Sequence, residues 1–146
     1  MKKTLILSIL ALVMVVAAQS NASEINWDAL VSSVISVESH GDPNAYNEKS
    51  GAVGLMQITS VVLEEYNQFA PSGDIDLYNA FDNIVLGAWY LHRLHEHYGC
   101  DTIEKILMAY NAGITRCKKV NFDLKRLPSE TRQYVKKVLQ KYEEIK

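Results

Sequence analysis

Glu38 is a carboxylate where the surrounding pattern calls for an apolar side chain. Trp27, Val31, Val34 and Glu38 are spaced four, three and four apart, so on a helix they form one stripe that Glu38 ends. Gly41 and Pro43 stop the helix just beyond it and put the carboxyl in the last turn. An apolar wall disfavours the ionised form, and so does the partial negative charge of a helix C-terminus, so both effects raise the pKa. A carboxyl kept protonated towards neutral pH is a proton donor. The same spacing also fits an ordinary surface glutamate at a frayed helix end. What tilts the reading towards chemistry is the following stretch, where Gly51, Gly54, Leu55, Met56 and Gln57 stand among small residues that suit a close backbone approach better than core filling.

A glycosidase of the common retaining or inverting kind needs two carboxylates flanking the scissile bond. The nearest further acids in sequence, Asp42 and Glu48, lie in a turn-rich segment where acidic side chains are ordinarily solvated, and neither reads as catalytic. His92, His95, His97 and Cys100 crowd one helix end, but zinc wants imidazoles and a thiolate converging in fixed geometry, and His97 points away from the face that His92 and His95 share. No metal and no cofactor is expected.

Behind these residues, apolar positions recur at three and four almost throughout, and no run alternates long enough to build a sheet. The pattern predicts five principal helices. The first runs from about Trp27 to Ser39 behind Asn26 as N-cap, and a short helical piece is expected near Val53 to Gln57. The second is capped by Thr59 or Ser60 and ends near Tyr66, after which an irregular connection passes through Pro71 and Gly73. The third spans about Ala80 to Tyr98. The fourth starts at Asp101 or Thr102, shows Ile103, Ile106, Leu107 and Tyr110 on one face, and stops at Gly113. An irregular basic loop from Ile114 to Leu127 precedes the fifth, capped by Ser129, with Val135, Val138, Leu139 and Tyr142 on its apolar side. Together they describe a compact all-α domain.

The 146 residues suffice for one domain. Lys2 and Lys3 ahead of an apolar run from Leu5 to Ala18, then Ser20-Asn21-Ala22, read as a signal peptide cleaved after Ala22, or after Ser20, leaving residues 23–146 as the domain. The run is shorter than the roughly 20 residues that span a bilayer, so no stable membrane span is expected once the leader is gone. The exported chain would be periplasmic, which makes nucleic acid a poor partner. Charge is unevenly placed: Ser23 to Thr115 holds 3 basic and 13 acidic residues, and Arg116 to Lys146 holds 10 basic and 4 acidic. That basic third reads as a solvated helix face or as a surface leaning on an anionic polymer. Cys100 and Cys117 both fall in the exported part, where an oxidising compartment favours a disulfide between them.

The Glu38-Ser39 pair, the Pro43-Asn44-Ala45 turn and SGAVGLMQI from Ser50 to Ile58 resemble the signature of the soluble lytic transglycosylases, in the lysozyme-like superfamily. MAYNAG from Met108 to Gly113, PSETRQYVKKVL from Pro128 to Leu139 and NIVLGAWYL from Asn83 to Leu91 resemble further blocks of that family. The resemblance implies a lysozyme-like α fold and a single catalytic acid, Glu38, that cleaves peptidoglycan between N-acetylmuramic acid and N-acetylglucosamine and leaves a 1,6-anhydro-muramoyl end. It implies that the Tyr110 hydroxyl points at the acid, that Asn111 and Tyr134 line the sugar site, that Met56 and Gln57 contact the acetamido sugar, and that Gly54 lets the glycan come close. Ser39 is expected near the polar groups of the helix end. The family usually has a serine nine residues after the acid; Asn47 stands there, and either Asn47 or Ser50 takes its place. The partners implied are peptidoglycan strands and, for a small exported enzyme, a secretion, pilus or conjugation machine. A hydrolytic muramidase and a non-catalytic peptidoglycan-binding protein are the alternatives.

Overall fold

A computed structural model describes residues 24–70 and 75–146 of the chain. The expected leader, and the connection through Pro71 and Gly73, lie outside the described residues. Six α-helices are present among the described residues: α1 (Trp27–Glu38), α2 (Ser60–Phe69), α3 (Ala80–Glu96), α4 (Ile103–Ala112), α5 (Ile114–Lys119) and α6 (Ser129–Ile145). A two-residue antiparallel pair, β1 (Tyr46–Asn47) with β2 (Ala52–Val53), stands between α1 and α2. None of these helices is long and apolar enough to cross a membrane.

The caps explain most of the boundaries. Asn26 accepts a hydrogen bond from the Ala29 N–H, Asn79 from those of Phe81 and Asp82, and Thr102 from that of Lys105, each satisfying donors that a helix start leaves open. Ser129 does not cap α6: it is the first helical residue, Pro128 holds the cap position, and the Arg132 N–H bonds the Pro128 carbonyl. Thr59 precedes α2 without a side-chain cap.

The core is built where α1 and α4 pack on α6 and α3 closes against α4. Leu30 and Val34 from α1 meet Leu86, Leu91 and Leu94 from α3, Ile106 and Leu107 from α4, and Val135 and Val138 from α6, all buried. The buried face of α1 is turned slightly from the expected stripe: Leu30, Ser33 and Val34 form it, while Trp27, Val31 and Glu38 lie half-buried at its edge. At the start of α1 the Asn26 N–H donates to the Tyr142 hydroxyl, which ties that end to α6.

Two further expectations fail, each for a local reason. Val53 to Gln57 is no helix, because Gly54 and Gln57 both take positive φ and the segment closes on itself through paired Val53 and Ile58 backbone bonds. The basic stretch after Gly113 is more regular than expected, carrying α5 and a 3-10 turn at Leu124–Arg126. Buried Cys117 anchors α5, its carbonyl accepts from the Phe122 N–H, and Asp123 caps the 3-10 turn through the Lys125 N–H.

Asn83, fully buried on α3, locks the turn to the helices. Its Oδ1 accepts from the Met56 N–H at 2.8 Å, and its Nδ2 donates to the Val53 and Leu77 carbonyls, both at 2.8 Å. Gly54 makes room for it, since a Cβ there would stand 2.3 Å from the Asn83 amide nitrogen. Gly87 does the same for Met56, whose sulfur would lie 2.3 Å from an added Cβ. Asn83→Ala should cost about 3 kcal/mol in urea unfolding, because two carbonyls and an N–H are left buried without partners. Cys100 and Cys117 are both buried thiols here, close enough that Cys100 adds to the burial that pushes Cys117 up to about 11. Their pairing remains a proposal: non-reducing mass analysis of exported protein is expected to find the two joined, and two free thiols would refute it.

Candidate active site

Glu38 is the last residue of α1, and its carboxyl opens onto a cleft of about 350 Å³ between the β1–β2 turn and the ends of α4 and α6. Burial drives its pKa from the ordinary 4.5 up to about 7, and the Glu130 carboxylate pushes the same way by repulsion. The Tyr134 hydroxyl works against both, drawing the pKa down from its place beside the carboxyl. That hydroxyl is wholly buried and stops short of a well-formed hydrogen bond with any described residue. Glu38 therefore keeps its proton to near neutrality next to a phenol that can steady the ionised form.

The two tyrosines exchange the places the family resemblance implies. Tyr110 gives its hydroxyl hydrogen to the Met56 carbonyl at 2.8 Å, so it feels the Glu38 charge through space while bracing the turn. Tyr134, not Tyr110, is the phenol at the acid. Burial raises both hydroxyls well above their usual value, and both stay neutral donors.

Asn47, Ser50, Gln57, Tyr110 and Asn111 all line the cleft with Glu38. Asn47 accepts from the Lys49 and Ser50 N–H groups at 3.1 and 3.3 Å, which commits its oxygen to the turn and leaves its NH₂ group free for the cleft. Ser50 accepts from the Ala52 N–H at 3.3 Å and keeps its own proton to donate. Gln57 sits at φ 49°, a costly conformation for a non-glycine residue, and its amide is held by the carbonyls of Ala45 and Gly54.

Three expected contacts are placed elsewhere. The Met56 side chain is fully buried against Gly87 and does not line the cleft, and the Asn83 lock holds its N–H as well. The space in front of Gly54 is filled by Asn83 rather than open to a glycan. Ser39 is buried, donating to the Ile35 carbonyl and accepting from the Gly41 N–H, which seals the end of α1.

Glu130 is the residue the sequence reading missed. It lines the cleft with Glu38, and a second arm of the same cleft, passing Ala45, Tyr46 and Glu48, includes both carboxylates. The signal was present: Glu130 stands four residues before Tyr134, so on one helix the two share a face. The histidines have structural partners instead. His92 stacks on Trp27 at 3.8 Å, and His95 Nδ1 lies 2.9 Å from the Cys100 carbonyl oxygen.

Comparison with known proteins gives the family and the fold. The transglycosylase SLT domain family matches residues 14–132. A Haemophilus influenzae protein described as a soluble lytic murein transglycosylase is 38% identical over 85 residues, covering 56% of this chain and 14% of that protein. The crystal structure of the 70 kDa soluble lytic transglycosylase of Escherichia coli matches with a TM-score of 0.69 at 28% identity, over 84% of this chain and 22% of the larger one. The chain thus corresponds to less than a quarter of the length of either relative. The match over residues 14–132 and the likeness of its helices to that structure show that the chain belongs to the transglycosylase SLT domain family and has that family's lysozyme-like α fold.

Proposed function

We propose that this chain is a peptidoglycan lytic transglycosylase in which Glu38 is the single general acid and base. The observation that carries the reading is a carboxyl held near pKa 7 at the wall of an open polar cleft, in a chain of this family. Glu38 gives its proton to the oxygen between N-acetylmuramic acid and N-acetylglucosamine as the bond to the muramoyl C1 breaks. The muramoyl acetamido oxygen supports C1 as the leaving sugar departs. The Glu38 carboxylate, steadied by Tyr134, then takes the proton of the C6 hydroxyl while O6 bonds to C1. The products are a 1,6-anhydro end and a free N-acetylglucosamine end, no water is consumed, and Glu38 recovers its proton. Ring closure is favoured because an internal hydroxyl reacts at high effective concentration.

The periplasm, where the expected leader would deliver the chain, holds this substrate, and service to a secretion, pilus or conjugation apparatus belongs to the same proposal. The Glu130 carboxylate in the cleft supports one rival, a muramidase in which Glu130 activates water. Product mass separates the two. Digested sacculi should give fragments lighter by one water than hydrolytic products and without a reducing muramoyl end; mainly reducing muramic acid ends would assign hydrolysis. A binding protein would release no soluble fragments at all.

Glu38→Gln should lower turnover at least about 100-fold with glycan binding kept, since the amide has the shape but no usable proton. Retention of more than about a tenth of the wild-type rate would remove Glu38 from this role. The same variant tests the burial. A carboxyl whose pKa rises on folding stabilises the fold fully below its unfolded value of 4.5 and loses that contribution as pH climbs through about 7. Glu38→Gln should therefore match wild type in urea unfolding at acid pH and exceed it above neutrality by up to about 3 kcal/mol.

A further inference from the structure

The outward side of α3 carries an apolar stripe that the chain itself leaves open. Asn83, Leu86, Gly87 and Leu94 turn one side of this helix into the core. On the opposite side Phe81, Val85, Ala88 and His92 are spaced four, three and four apart, so they share one line roughly 16 Å long. Phe81 is 74% exposed, more than any other large apolar side chain among the described residues, and Val85 is exposed with it. Tyr78, just ahead of the helix, is exposed as well, and at the far end of the line the Trp27 ring stacks on His92. None of these residues lines the catalytic cleft. Single exposed apolar side chains are ordinary on a protein surface, but a stripe at helical spacing is how one helix receives another.

The charges beside the stripe are acidic at both ends. Asp76 accepts from the Tyr78 N–H, and Asp82, next to Phe81, accepts from the Asp76 N–H. Glu24, Glu96 and Asp101 line a cavity of about 360 Å³ together with Trp27 and His92. Between Ser23 and Thr115 the basic residues are Lys49, Arg93 and Lys105; Lys49 lines the cleft, Arg93 is tied to Glu65 and Lys105 to Asp101. Glu24, Asp76 and Asp82 have no basic partner among the described residues, and Glu96 has only His92, at 4.0 Å. An anionic lipid surface is repelled by such a margin. A second copy offers the opposite charge without the apolar match, since the exposed side of its α6 presents Arg132, Lys136 and Gln140. We infer that this side of α3 docks one helix of a partner protein, about three turns long, apolar along one side and flanked by Lys or Arg. Its apolar side covers Phe81 and Val85, and its cations meet Asp82 and Glu96.

The probe is a synthetic helical peptide of about 18 residues with Leu at the same four-three-four spacing and Lys beside it, set against a twin carrying Glu for each Lys. Calorimetry should show wild type binding the Lys peptide and not the twin. Phe81→Ser/Val85→Ser, at exposed positions where substitution leaves the fold intact, should weaken binding at least about tenfold. Asp82→Asn/Glu96→Gln should weaken it about threefold and flatten its dependence on salt. Equal affinity for the twin, or unchanged affinity in Phe81→Ser/Val85→Ser, overturns the inference. So does a wild type that ignores the peptide but forms dimers in sedimentation, or binds phosphatidylglycerol vesicles, in a way the same double variant abolishes: the first assigns the stripe to a second copy, the second to a membrane. Cleavage of sacculi should be unchanged in Phe81→Ser/Val85→Ser. If wild type cleaves nothing, the proposed function fails while the peptide measurement still decides the docking.

Discussion

Taking one carboxyl group out of water without a cation to pair it is the constraint on which this structure turns. A buried carboxylate left to itself takes up a proton, and Glu38 does so up to about pH 7. Ordinary proteins avoid that arrangement because it subtracts from a small total stability. Here the penalty is carried by the packing of α1 on α6, where Leu30, Val34, Val135 and Val138 are wholly buried or nearly so. The same helix pair brings Tyr134 and Glu130 to the carboxyl from opposite electrical sides, one favouring the ion and one opposing it. The element that supplies the cohesion also sets the acidity.

The turn facing the acid is organised by a different force. Several of its polar groups are engaged by the protein: Asn83 holds the Met56 N–H and the Val53 carbonyl, Tyr110 holds the Met56 carbonyl, and Gln57 holds two carbonyls of its own loop. Residues that look like substrate contacts in the one-dimensional pattern thus divide into those that touch the cleft and those that make its wall rigid. A rigid wall matters chemically, because proton transfer needs the donor and the leaving oxygen in register before the bond stretches.

Much of this was legible in the sequence. Helical periodicity and caps at Asn26 and Thr102 placed the helices within a few residues, and the helix stop after Glu38 placed the acid. What could not be read were choices made between distant segments. Nothing near Gly54 announces that Asn83, 30 positions beyond Val53, will fill the space before it. The exchange of roles between Tyr110 and Tyr134 has the same origin, since both are apolar-face tyrosines and only tertiary packing decides which hydroxyl reaches the carboxyl. Glu130 lies far from Glu38 in sequence, and only the fold, in which α6 returns it from the far end of the chain, makes it the second acid of the cleft.

One helix is held quite unlike the others. No residue of α2 is fully buried, although Val62, Leu63 and Tyr66 rest against the core. Its firmest tie is Arg93, which reaches from α3 to Glu65 and lies with its guanidinium 3.8 Å from the centre of the Phe69 ring. Thr59, the cap position of the same helix, lines the cleft. Mechanically, one wall of the cleft is made by deeply packed α6, while the helix behind the other, α2, is held from its surface by Val62, Leu63 and Tyr66 and by the ties of Glu65 to Arg93 and Tyr98. If the proposed glycan strand lies in the cleft, the shallowly packed α2 side would yield to its thickness before the α6 side that carries the neighbours of Glu38.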